Sequence, residues 1–234
     1  GGFIPWDEDI DIGMFRKDYE TFLSVCGESL NDKYFLQTNK TDPEYPILYA
    51  KIRANDTTFV EKESKKIGKK IHQGIFIDIF PIDNVPDSKI LARIQFLLVH
   101  FFISIASTRA GNFSNNKYKR IIKKLYSYIF IRAFKKETLD SIASNIAAYY
   151  KNKPTEKVAN LFGRYRTKEI VPRDYFGDSR FIEFEGNYLP IPELYHEYLS
   201  QIYGDYMKLP PLEKRSIHNL VYVDLEKSYK EYFN

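Results

Sequence analysis

The sequence predicts an α/β fold of the α+β kind: a mixed sheet early in the chain, a helical insertion, and a C-terminal hairpin and helix segment. Three observations predict it. Asp9-Ile10-Asp11-Ile12 alternates acid and apolar residue at the period of a strand, and Gly74 to Asp83 is a nearly continuous apolar and aromatic run broken by Asp78. After Pro86 the spacing turns helical until a hairpin pattern at Phe181 to Ile191. The 234 residues suffice for one sizeable core, and no repeat, low-complexity tract or flexible linker divides them. A single composite domain follows, with a sheet core over 1–85, a helical part over 86–165 and a C-terminal part over 166–234.

The first strand carries the chemistry. Period two puts Asp9 and Asp11 on one face, their Cα atoms ~6.5–7 Å apart. Two carboxylates that close repel, and a cation between them relieves the repulsion; hard oxygen ligands suit Mg²⁺, or Mn²⁺ in its place, with water and phosphate filling the other positions. The alternative is an acidic edge strand whose charges discourage pairing. Asp7 and Glu8 read as solvated turn acids. Next comes a helix over Phe15 to Leu30, its apolar stripe formed by Tyr19, Phe22, Leu23 and Cys26. Ile47 to Arg53 and Thr57 to Glu61 are short strands bounded by Pro46 and Asn55-Asp56.

The run from Gly74 to Asp83 is a buried strand with a lone acid. An unpaired buried carboxylate costs several kcal/mol or surrenders its charge, so Asp78 needs either a metal shared with Asp9 and Asp11 or a lysine. Asp83, between Pro81 and Pro86, caps a loop, and the two prolines end the sheet. Ile90 to Ala106 reads as a buried helix, because Arg93, Gln95 and His100 break it up well short of the ~20 apolar residues of a span. Lys117 to Lys136 is basic, holds no acid, and repeats Ile121, Ile122, Leu125, Ile129 and Ala133 at helical spacing. It has the pattern of a basic amphipathic helix at an anionic membrane surface, with a solvated helix face as the alternative. The hairpin turns at Glu185-Gly186-Asn187; a helix over Glu193 to Ile202 follows, with Gly204 as its C-cap.

Composition narrows the field. A hydrophobic content of 44% and aromatic content of 16% are far from disorder. The one cysteine, Cys26, excludes an internal disulfide and belongs to the packing of its helix. His72, His100, His196 and His218 are too scattered for a zinc cluster. Net charge is only +4, so the basicity is local, and no nucleic-acid recognition motif accompanies it.

An Asp-x-Asp strand followed by a strand with a third acid is the signature of the nucleotidyltransferase fold. Here Gly2-Phe-Ile-Pro-Trp-Asp-Glu-Asp-Ile-Asp-Ile-Gly-Met14, Ile75-Phe-Ile-Asp-Ile-Phe-Pro-Ile-Asp83 and Tyr203-Gly-Asp-Tyr-Met-Lys-Leu-Pro-Pro211 closely resemble the LicD family of phosphocholine transferases, distantly related to fukutin-like transferases. The resemblance implies that Asp9 and Asp11 bind metal and that Asp78 binds metal or takes the proton of the attacking hydroxyl. It implies that Arg16, Lys51, Arg53 and Thr57 face donor phosphates. Trp6, with Tyr165, Tyr175 and Phe176, is a candidate to box a quaternary ammonium by cation–π contact. The family also carries a glycine- and threonine-rich phosphate-holding segment ahead of the first motif, expected outside a sequence that starts at Gly1-Gly2.

The expected activity is Mg²⁺-dependent transfer of a phospho-alcohol, phosphocholine foremost, from a CDP-linked donor such as CDP-choline to a sugar hydroxyl. The acceptor is a cell-surface glycan or its lipid-linked precursor, of the teichoic acid or lipopolysaccharide kind. The expected place is the cytoplasm, with peripheral contact at the inner membrane face through 117–136 and no nucleic acid partner. Two other readings remain open: a glycosyltransferase with an Asp-x-Asp metal site, and a non-catalytic glycan or membrane adaptor that retains the fold.

Overall fold

The computed structural model describes residues 3, 9–109, 117–212, 215 and 219–233. In chain order it runs β1 (Asp11–Phe15), α1 (Arg16–Ser29), β2 (Tyr34–Gln37), β3 (Ala50–Ala54), β4 (Thr58–Glu61), α2 (Lys62–Lys65) and β5 (Phe76–Val85). The helices α3 (Lys89–Arg109), α4 (Lys117–Ala133) and α5 (Lys136–Ala147) follow, then β6 (Lys157–Ala159), β7 (Ile170–Pro172), β8 (Arg180–Phe184), β9 (Asn187–Ile191), α6 (Tyr195–Tyr203), β10 (Leu220–Asp224) and α7 (Tyr229–Tyr232). The main sheet has the order β2-β3-β5-β6-β7, with β1 also paired to β5; β10 with β4 and β8 with β9 make two separate ribbons.

β5 is the axis of this arrangement. It runs parallel to β1 and antiparallel to β3 and β6. Its odd residues Ile77 and Ile79 join Tyr19, Phe22 and Cys26 of α1 in one cluster, so the stripe read from the sequence does cover the sheet. Its even residues face the other way, and Ile82 packs there with Val158, Val171 and Tyr198. The expectation that Pro81 ends the sheet is corrected: β5 continues to Val85. The Asp78 N–H donates to Ile10 on the β1 side, so by alternation residue 81 would aim its N–H toward β3, whose ladder stops at Ile79. Proline costs no ladder bond there.

Four short strands went unread in the sequence: β2, which pairs with β3 in the main sheet, and β6, β7 and β10. β6 and β7 have three residues each and extend the main sheet, while β10 pairs with β4. The buried reading of the first long helix is corrected in part. Ala92, Phe96 and Val99 of α3 enter a core with Ala147 and Leu161, but Ile90, Leu91, Ile94, Leu97 and Leu98 are exposed. The hairpin lies where it was read, with Glu185 at φ 48° and Gly186 at φ 76° in the turn.

Candidate active site

Backbone pairing brings two motif acids together. In the β1–β5 ladder Asp11 is the register partner of Asp78, so two strands far apart in sequence present both carboxyls from one sheet face. Asp11 is exposed and Asp78 is 5% exposed. Burial pushes the Asp78 carboxyl up, Lys51 pulls it down, and Asp9 is near enough for its charge to push it up again. Among the described residues, no three Asp, Glu, His or Cys side chains are gathered closely enough to hold a metal by themselves.

Lys51 stands opposite Asp78 on β3 and places its Nζ 2.6 Å from Oδ1. The contact is a short ion pair between two buried side chains, and it occupies Oδ1. The same ammonium lies 3.3 Å from the centroid of the Phe76 ring, and burial pulls its pKa down against the pull of Asp78. The Tyr49 hydroxyl reaches Asp78 Oδ2 at 3.4 Å. Lys51 therefore neutralises the third acid from inside the sheet, the lysine partner that the sequence left as an alternative.

A fourth acid at this face was missed. Glu169 directly precedes β7 and is 5% exposed. Its carboxyl is pushed up to about 7, chiefly by burial, with the Tyr165 N–H pulling down and the charge of Asp11 pushing up. The Tyr165 N–H donates to its Oε1 at 2.7 Å. A side chain at Gly163 would strike it, since a Cβ there would fall 1.9 Å from Oε2. Nothing periodic marks Arg-Thr-Lys-Glu in the sequence, so only the packing shows this group.

Most of the expected phosphate contacts are committed elsewhere. Arg16 forms a bidentate pair with Asp83, both bonds 2.7 Å, on the sheet face away from Asp78. This also corrects Asp83, a fully buried strand residue and not a loop cap. Arg53 is 3% exposed and donates to Gln37 and to the Gly74 carbonyl. The Thr57 hydroxyl donates to the Ala54 carbonyl and accepts the Ile75 N–H, both at 2.9 Å, closing the turn after β3. Tyr175 and Phe176 pack against the core of Ile82 and Val171, while Tyr165 meets Tyr203. Trp6, Asp7 and Glu8 lie outside the described residues; Phe3, just ahead, rests its ring 4.9 Å from Phe184 on the hairpin. A cavity of about 500 Å³ lined by Arg16, Lys17, Lys151 and Arg173 opens at the far end of β1, and none of the three aspartates lines it.

The chain is 30% identical over 230 residues to the lipopolysaccharide cholinephosphotransferase LicD of Haemophilus influenzae, a match covering 94% of this chain and 81% of that protein. The chain belongs to the LicD family. No family model matches it, and no solved structure matches it. In this LicD-family chain, then, two acids of separate motif segments meet by β-pairing, and the lysine and tyrosine around them come from β3 and its approach.

Proposed function

We propose that this chain transfers phosphocholine from CDP-choline to a sugar hydroxyl of a lipopolysaccharide precursor, on a core of nucleotidyltransferase type. The observation that carries the reading is the Asp11–Asp78 register, in a chain whose relative is named for cholinephosphate transfer to lipopolysaccharide. The hard oxygens of Asp11 and Asp78, register partners on one sheet face, are of the kind that suits Mg²⁺ or Mn²⁺, and with Lys51 held at Asp78 Oδ1 the exposed Asp11 is the more accessible ligand. Asp9 and Asp11 would hold the ion, with water and donor phosphate completing its shell, which leaves Asp78 for the proton. When bound, it supplies positive charge against the donor phosphates.

The chain's own groups supply the rest. Asp78 takes the proton of the acceptor hydroxyl as its oxygen bonds to phosphorus and the bond to CMP breaks. Its burial favours that role, because a carboxylate in a dry setting is the better proton acceptor. Lys51 keeps the buried acid charged until the hydroxyl arrives. The test is CMP release from CDP-choline with a lipopolysaccharide precursor. Asp11→Asn and Asp78→Asn should each lower turnover by at least ~100-fold, the low end for loss of a positioned acid–base group. Near-normal turnover in either variant would contradict the reading. Ligand-induced stabilisation with CDP-choline, CDP-ribitol and CDP-glycerol identifies the donor alcohol, since the tightest ligand raises the unfolding midpoint most.

A further inference from the structure

Helix α4 packs on α3 through Tyr126 and Phe130 against Phe101 and Phe102, yet it carries a second apolar side away from that contact. The side of α4 turned to α3 is partly polar: Ser127 is fully buried and its hydroxyl donates to Thr108, and the Tyr126 hydroxyl pairs with Ser104 at 2.6 Å. The opposite side is apolar and open. Tyr118, Ile121, Ile122, Leu125, Tyr128 and Ile129 are 54–77% exposed. The first half of α3 also leaves large apolar side chains uncovered, with Ile90, Leu91, Ile94, Leu97 and Leu98 45–72% exposed. Soluble proteins seldom leave so many large apolar side chains together in water, and such a patch marks an interaction site.

Charge says what covers it. From Ser88 to Lys136 the sequence holds eleven Lys and Arg and no Asp or Glu. The rest of the chain has 24 basic against 31 acidic side chains, so the +4 of the whole hides a segment of +11, which contains the hairpin, on a body of −7. A second copy meeting this face head-on would set +11 against +11. A bilayer with anionic lipids answers both features, taking apolar side chains into its interface and attracting the basic rim. Among the described residues no helix is long and apolar enough to cross a membrane, so the helices would lie along the surface.

We propose that the α3–α4 hairpin docks this protein on an anionic membrane surface, independently of which group it transfers. The test is co-sedimentation of the 234-residue chain with phosphatidylcholine vesicles, with and without phosphatidylglycerol. Binding should appear with the anionic vesicles at low salt and weaken as salt rises. Changing Arg120, Lys124 and Lys135 to Gln should lower partitioning roughly a hundred-fold, from about 1 kcal/mol per basic side chain. Changing Ile121, Leu125 and Ile129 to Ser should remove the binding that survives at high salt. The substituted side chains are exposed, so an unchanged thermal midpoint will verify the fold of both variants. Failure to sediment with anionic vesicles at low salt overturns the proposal. So does a concentration-dependent dimer that the serine variant abolishes while vesicle binding is unchanged.

Discussion

Asp78 and Asp83 point from opposite faces of one strand, and each has drawn a cation to it: Lys51 for the first, Arg16 for the second. The Arg16–Asp83 pair is structural, with both side chains buried and two bonds of 2.7 Å. Breaking such a pair from one side strands a buried charge, at a cost of about 3–5 kcal/mol, whereas apolar replacement of both partners is often neutral. Asp83→Ala should therefore shift the urea midpoint far down, and Arg16→Met with Asp83→Leu should recover most of the loss. The Gly163–Glu169 contact gives a second residue-level prediction. Gly163→Ala forces its new methyl into the Glu169 carboxylate, an overpacking worth about 1–3 kcal/mol. In a Glu169→Ala background the same change should be nearly free; equal losses in both backgrounds would show that the collision is not the cause.

At the level of elements, the β8–β9 hairpin shows how a local signal sets a turn. Its two central residues, Glu185 and Gly186, both have positive φ, as the right-handed twist of paired strands demands of a two-residue turn. Glycine meets that demand at the second position; glutamate does so at a strain cost at the first. A Cβ at Gly186 would touch nothing, so Gly186→Ala isolates the backbone penalty and should destabilise by about 1 kcal/mol. Glu185→Gly should be neutral or raise the thermal midpoint slightly. Helix α4 makes the complementary point: its period is plain in the sequence, which left open a membrane-facing stripe or a solvated face, and the packing leaves Ile121, Ile122, Leu125 and Ile129 facing out.

Over the whole molecule, two buried groups give stability an unusual pH dependence. His72 is pushed down to about 3 by burial and by the charges of Arg53 and Lys230; its Nδ1 accepts the Gly74 N–H and so must stay unprotonated. Between about pH 6.5 and 3 the unfolded chain binds a proton that folded His72 refuses, so this group costs stability as pH falls. Glu169, pushed up to about 7, keeps a proton that the unfolded chain releases above about pH 4.5, so it costs stability as pH rises through 4.5–7. Each slope is at most about 1.4 kcal/mol per pH unit. The two oppose each other near pH 5–6, and only the histidine slope remains below pH 4. Glu169→Gln removes the second slope, so relative to the parent it should gain stability at pH 8 over pH 4.5, read from urea midpoints at the two values. An unchanged difference between the two values would show that Glu169 ionises normally.

The sequence by itself determined the acidic strand, the lone acid in an apolar strand, the α1 stripe, the hairpin turn and the family, because each is written in neighbouring residues at a fixed period. Tertiary structure decided the partners. Whether Asp78 faced a metal or a lysine, and whether Arg16 faced phosphate or Asp83, depended on which strands β5 paired with and in what register; a one-residue shift would have sent each side chain to the other face. β6 and β7 were illegible because three residues hold no period, and Glu169 because its raised pKa comes from burial by other elements. The outward face of α4 is of the same kind. A helical repeat fixes that an apolar stripe exists, and only the packing of α3 against the other side decides that the stripe is left facing out.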